Sequence, residues 1–132
     1  MLKVEGLTKH YNHHPVVDDL SFHCDAGEVL GFLGPNGAGK STTMKMITGF
    51  VSPSAGTASI CGHDIVNESL AAKQRLGYLP EGAPCYAEMT TESFLSFIAE
   101  IRGLNSVKDS LRLDELIERL HLGRVLIQTV ET

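Results

Sequence analysis

Apolar and polar positions alternate at the start of the chain, with Leu2 and Val4 set against Lys3 and Glu5, and this period of two predicts a strand running to Thr8. Asn12-His13-His14-Pro15 reads as a turn. Val16, Val17, Leu20 and Phe22 predict a second strand, ended by Asp25-Ala26-Gly27 and antiparallel to the first. Val29-Leu30-Gly31-Phe32-Leu33 is almost wholly apolar, as in a central strand of a parallel sheet that is buried on both faces. After a glycine-rich stretch, residues 40–48 predict a helix with Met44 and Ile47 facing inward and Gly49 closing it. Ser52-Pro53-Ser54-Ala55-Gly56 is a turn, 57–61 a strand, 69–75 a short helix and 76–79 a strand. Phe94, Phe97, Ile98 and Ile101 then recur at helical spacing and are expected to be core. Leu113, Leu116, Ile117 and Leu120 do the same behind a capping-box-like start at Ser106 and Asp109.

Strands and glycine turns dominate before about Pro80, and helical patterns after it. The expected division is therefore residues 1–80 and residues 81–132. The formal net charge of −5 argues against a general nucleic-acid or membrane-surface binder, which needs a basic footprint. Cys24, Cys61 and Cys85 form no C-x-x-C pair, so neither a disulfide framework nor a zinc site is expected, and a reducing compartment is the simple reading. The first residues lack a signal-peptide pattern, and no apolar run approaches the ~18 residues of a membrane span. His13-His14 is read as part of a turn, because adjacent residues do not face one metal.

The chemistry sits in residues 34–41, Gly-Pro-Asn-Gly-Ala-Gly-Lys-Ser, which fit the phosphate-loop (Walker A) pattern G-x-x-x-x-G-K-[ST]. Glycines let successive N–H groups curl inward into an anion nest. The loop leads into a helix N-terminus, where unpaired N–H groups and the helix dipole favour phosphate. Lys40 supplies a point charge for the β- and γ-phosphates, and Ser41 a hydroxyl for Mg²⁺.

The wording of residues 34–42, GPNGAGKST, resembles the loop of ABC-type ATPases, and the flanks extend the likeness. VVDDLSFHCDAGEVLGFLG ahead of the loop, GFVSPSAGTASICGHDI behind it and RLGYLPE further on are each similar to the corresponding family segment. The resemblance implies ATP as ligand, Mg²⁺ as cofactor, a transmembrane permease as partner and a head-to-tail homodimer with a second ATPase subunit; from the acidic balance, no nucleic acid is expected as a partner. It places Asn36, Gly37, Ala38, Gly39, Lys40, Ser41 and Thr42 around the phosphates. Tyr11 falls where the family has an aromatic that stacks on adenine, worth about 1–3 kcal/mol by analogy with base stacking, and Val16 would pack beside the same base. Glu81 stands where the family usually has a glutamine that reaches Mg²⁺ and the attacking water. A carboxylate can meet a hard cation but cannot donate an amide hydrogen bond. Lys40 and Glu81 are the expected catalytic residues, with Ser41 and Glu81 toward the metal.

The expected fold is α/β: a P-loop NTPase core, with a parallel sheet and a small antiparallel β part, followed by the start of a helical subdomain, together an incomplete domain. No LSGGQ-like run, no apolar strand ending Asp-Glu and no switch histidine after them occur in the 132 residues. The expectation is an ATP-binding subunit, hydrolytic in its complete form, that powers an exporter at the cytoplasmic face of the cell membrane. The 132 residues alone would bind nucleotide with negligible turnover, and would be marginally stable or associate through an unpaired edge beside residues 29–33. A soluble ABC-type ATPase, another phosphate-loop enzyme such as a small-molecule kinase, and a non-catalytic nucleotide-binding module stay open as alternatives.

Overall fold

A computed structural model describes residues 1–80, 82 and 86–130. The chain divides into two compact units, Met1–Leu79 and Pro80–Thr132.

In the first unit, β1 (Leu2–Tyr11) and β2 (His14–Cys24) pair as an antiparallel hairpin. Asn12 and His13 join them at φ of 47° and 66°, the left-handed geometry whose twist suits a two-residue hairpin. β3 (Ala55–Ile60) pairs with the other edge of β1, and the short β4 (His63–Asp64) pairs with β3, giving the order β2-β1-β3-β4, antiparallel throughout. The ladder is interrupted between Val4 and Leu7, where Gly6 has φ of 58°. Gly56 approaches so closely here that an added Cβ would stand 2.1 Å from the Gly6 carbonyl oxygen. The Thr8 hydroxyl locks the irregularity, donating to the Gly6 carbonyl at 3.1 Å and accepting from the Asp19 N–H at 3.0 Å.

One face of this sheet carries the core. Val4, Leu7, Val17, Ala58 and Ile60 pack with Met46 and Ile47 of α1 (Lys40–Ile47), with Ile65, and with Ala72 of α2 (Ser69–Gln74). α1 buries Thr43, Met46 and Ile47 and leaves Met44 exposed, so the inward stripe is not the expected Met44/Ile47 pair. A polar residue holds one of its positions: the Thr43 hydroxyl is satisfied by the Gly39 carbonyl at 3.0 Å and can therefore be buried. α1 ends as the sequence suggests, with Gly49 at φ 73°. Gly49 N–H donates to the Met46 carbonyl at 3.0 Å and Phe50 N–H to that of Lys45 at 2.8 Å, the paired bonds of a Schellman closure. Between β4 and α2, the Asp64 carboxylate accepts from Asn67 N–H at 2.7 Å, from Val66 N–H at 2.9 Å and from the Thr57 hydroxyl. The Asn67 N–H, and next the Thr57 hydroxyl, hold its carboxyl below the usual aspartate range.

Two expected strands are not formed. Residues 29–33 make no ladder, and Val29 and Leu33 are 96% and 95% exposed; only Phe32 finds an aromatic neighbour, Phe22 at 5.6 Å between ring centroids. An apolar run becomes a buried strand only when other strands satisfy its N–H and C=O groups, and among the described residues none pairs with it. The described sheet is accordingly antiparallel. Residues 76–79 are likewise outside any ladder, with Tyr78 held by Phe50 at 5.8 Å.

The second unit is built from α3 (Thr91–Ile101) and α4 (Val107–Arg119), followed by a 3₁₀ turn, Leu122–Arg124. The Thr90 side chain caps α3 by accepting from Ser93 N–H at 3.2 Å. α4 opens on the expected capping box: Ser106 Oγ accepts from Asp109 N–H at 3.2 Å, and Asp109 accepts from Ser106 N–H at 3.1 Å. The Ser106 hydroxyl, and next its N–H, keep the Asp109 carboxyl below its ordinary value. Backbone bonds from Thr91 to Gln128 and from Glu92 to Leu126 tie the start of α3 to the last described segment. No described residue of this unit is buried. The aromatic-aliphatic stripe of α3 is therefore not a core: Ile98 and Ile101 are exposed, and Phe97 meets Tyr86 edge-on at 5.4 Å.

Candidate functional site

The glycine-rich segment links the apolar run at 29–33 to α1. Two of its positions require left-handed backbone, Gly37 at φ 84° and Gly39 at φ 82°. Gly39 has a second reason to lack a side chain, since a Cβ there would stand 2.5 Å from the Val16 carbonyl oxygen and 3.0 Å from a Val17 methyl. The loop is thus seated against β2 immediately before α1 begins. Its interior bond runs from Ala38 N–H to the Pro35 carbonyl at 3.3 Å.

The Lys40 side chain curls back over the loop, its ammonium donating to the Gly34 carbonyl at 2.5 Å and to that of Pro35 at 2.6 Å. Lys40 and the bend it spans are thereby fixed to one another. α1 has no side-chain cap at Gly39 and no acidic residue in its first turn. Among the described residues, the N–H groups of Lys40, Ser41 and Thr42 donate to no backbone acceptor, and the first such bond of the helix is Thr43 N–H to the Gly39 carbonyl at 2.8 Å. Three adjacent unpaired donors at the positive end of a helix, beside an ammonium group, are a recognition element for an oxyanion of high charge. Asn36, Gly37, Ala38 and Ser41 are exposed and Thr42 is half-buried, so the concave side of the loop is reachable from solvent.

The donor set also fits a magnesium ion that arrives with a polyphosphate. Ser41 offers an exposed hydroxyl at the start of α1, and among the described residues no group of three His, Cys, Asp or Glu side chains could make a protein cage for a metal. Magnesium keeps several waters and commonly takes one or two protein oxygens beside phosphate oxygens. Glu81, expected toward the same ion, lies outside the described residues, as does Cys85.

Val16 meets Gly39 through its carbonyl and packs at the margin of the core. Tyr11 ends β1, opposite His14 and next to the hairpin turn, with 47% of its surface exposed. The hairpin thus carries Tyr11 at its tip and Val16 beside the loop. His13 sits in the turn at left-handed φ, and no metal-binding group includes His13 or His14 among the described residues. Reading the sequence alone missed two supports. Val17 packs against the position of Gly39, and the Lys9 ammonium lies 5.3 Å from the centroid of the Tyr11 ring. Lys9 and Tyr11 are two apart on a strand and so share a face, a signal that was present in the sequence.

The model of the family described as ABC transporter matches residues 17–132. The linearmycin resistance ATP-binding protein LnrL of Bacillus subtilis (strain 168) is 36% identical over 132 residues, which are all of this chain and 42% of that protein. The Nod factor export ATP-binding protein I of Ralstonia nicotianae is 38% identical over 118 residues, 89% of this chain and 37% of that protein. Among solved structures, an ATP-binding subunit of an ABC transporter superposes with a TM-score of 0.88 at 34% identity, covering 97% of this chain and 53% of that one. A nucleotide-free ATP-binding cassette from an ABC transporter gives a TM-score of 0.73 at 26% identity, covering 98% of this chain and 57% of that one. The chain therefore spans about two fifths of the length of these two relatives.

Proposed function

This chain belongs to the ABC transporter family of ATP-binding proteins, and from that premise we propose that its 34–42 loop holds the phosphates of Mg-ATP for a subunit that, in its complete form, hydrolyses ATP to drive export. The observation that carries the reading is the start of α1, where three consecutive N–H groups, without backbone acceptors among the described residues, stand beside the Lys40 ammonium. Asn36, Gly37, Ala38 and Gly39 supply the curled backbone, and the N–H groups of Lys40, Ser41 and Thr42 meet phosphate oxygens. Lys40 shares its ammonium between the loop carbonyls and the β- and γ-phosphates, adding charge without moving far.

Ser41 and Glu81 are the residues that would hold a magnesium ion, which would supply positive charge against the phosphates. Tyr11 stacks on the adenine and Val16 packs at its edge. A Leu-Pro-Glu loop with Glu81 in the role of the family's glutamine completes the reading, with residues 1–80 as the ATP-binding core and 81–132 as the Q-loop and part of a helical subdomain. Relatives named for Nod factor export and linearmycin resistance support the outward direction. The partners on this reading are a transmembrane permease and a second ATPase subunit arranged head to tail, with the protein on the inner face of the cell membrane. Among the described residues no helix is long and apolar enough to cross a membrane, which fits attachment through a permease.

Calorimetric titration with Mg-ATP tests the proposal. The chain is expected to bind, and Lys40→Ala to weaken binding at least about tenfold, the loss of a charge-assisted bond to phosphate. Equal affinity in the two proteins would end the reading. Steady-state ATP turnover by the 132 residues is expected to match the Lys40→Ala background.

A further inference from the structure

Tyr11 does not stand alone at the hairpin tip. The Lys9 ammonium lies 5.3 Å from its ring centroid, within the range of a cation–π contact. The same ammonium donates to the Ser52 carbonyl at 2.7 Å, so it is held rather than free to sweep through solvent. Ser52 is in turn fixed to β1 by the residues that follow it: Ser54 N–H donates to the Thr8 carbonyl at 2.8 Å, and Ser54 Oγ accepts from His10 N–H at 3.1 Å. Ahead of Ser52 the chain is equally constrained, because Phe50 and Val51 N–H both donate to the Lys45 carbonyl at the end of α1. A continuous set of bonds thus runs from the last turn of α1, through Ser52 and Lys9, to the Tyr11 ring.

We propose that Lys9 is a positioning residue for Tyr11: clamped between the Ser52 carbonyl and the ring, it holds the aromatic plane ready for a nucleobase and so sets the base-dependent part of nucleotide affinity. The inference rests on the reading of Tyr11 as the adenine platform. Two features of the geometry argue for it. The contact occupies part of the ring while nearly half of the tyrosine surface remains exposed, which leaves area for a second flat partner. A side chain already ordered before binding loses less rotamer freedom on binding, and the Ser52 bond orders Lys9 in the ligand-free chain. Because the anchor lies at the end of α1 opposite the phosphate loop, Lys9 acts on the base and not on the phosphates.

The test compares Mg-ATP with magnesium tripolyphosphate, which lacks base and sugar, on the full 132-residue chain and on Lys9→Met, Lys9→Arg and Tyr11→Ala. Lys9→Met keeps the length of the side chain and removes the ammonium. It is expected to weaken ATP about two- to fivefold, the range of one exposed cation–π contact, and to leave tripolyphosphate unchanged. Lys9→Arg, which keeps charge and donors, is expected to restore the ratio of the two affinities. Should Lys9→Met leave both affinities unchanged, or lower both equally, the positioning role is overturned while loss of ATP preference in Tyr11→Ala still upholds the platform. If Tyr11→Ala itself leaves that ratio unchanged, the platform fails and this proposal with it.

Discussion

The two units of this chain reach order by different routes. In Met1–Leu79, nine apolar side chains contributed by the sheet, α1, the segment after β4 and α2 are buried together. In Pro80–Thr132, two of the longer helices form although no described residue is buried. What starts the second unit's helices is local, the Thr90 cap and the Ser106–Asp109 box, and two backbone bonds, from Thr91 to Gln128 and from Glu92 to Leu126, add a long-range tie without burying a side chain. What holds the first is non-local, including the close approach of Gly56 to Gly6. The phosphate loop belongs to the first kind of order, being seated by Val16 and Val17 of β2 against Gly39. A loop that presents several N–H groups at fixed positions needs a rigid seat, and among the described residues a buried core lies in the first unit alone.

Substitutions can break this contrast, and the largest effect is expected at the strand crossing. Gly56→Ala places a Cβ 2.1 Å from the Gly6 carbonyl oxygen at a φ of 73°, and should cost about 4 kcal/mol of stability through clash and backbone strain. Denaturant unfolding measures the loss, and amide exchange should show it in β1 and β3. Next in size is Met46→Ala, expected to cost about 3 kcal/mol by opening a cavity at a fully buried site. The matching truncation in the second unit, Leu116→Ala, removes a side chain that is 40% exposed and should cost less than about 1 kcal/mol. Equal costs for the two truncations would erase the distinction.

Local order has its own probe. Ser106→Ala removes the hydroxyl half of the capping box that opens α4, leaving the backbone N–H of residue 106 to Asp109, and should destabilise that helix by about 1 kcal/mol, read as earlier amide exchange in its first turn. A further effect of similar size is pH-dependent and lies in the first unit. Hydrogen bonds lower the folded pKa of Asp64 below its model-compound value of 3.8. Its contribution is therefore complete above that value and is lost as pH falls through the depressed folded one. The stability difference between the parent chain and Asp64→Ala, about 1 kcal/mol at pH 6, should shrink below pH ~3.8 as the carboxylate protonates.

These outcomes also explain what the sequence could tell. Helix ends were legible because they are decided within a few residues: Gly49 closes α1, and Ser106 with Asp109 opens α4 as their spacing requires. The β1–β2 hairpin was legible from alternation and a turn. The glycine-rich loop and the helix that follows it were legible because glycine spacing and helix-start signals are local; the phosphate role given to that loop is the proposal above. Burial was less so. Residues 29–33 have the composition of an interior strand, but a ladder needs a neighbour that local sequence cannot supply. The inward face of α1 was misassigned between Met44 and Met46 because Thr43, a polar residue, holds a buried position with its hydroxyl bonded to Gly39. The strand face that Lys9 shares with Tyr11 could have been read, but its other partner, Ser52, is distant in sequence and adjacent in space.

On the proposed function, the curled backbone ahead of α1 and its first N–H groups receive a polyphosphate. Amide chemical shifts of the isotopically labelled chain, followed during titration with Mg-ATP, test this residue by residue. The largest changes are expected at residues 37–42, saturating together and much reduced in Lys40→Ala. Shifts that leave those amides untouched, or that collect in α3 and α4 instead, would contradict it.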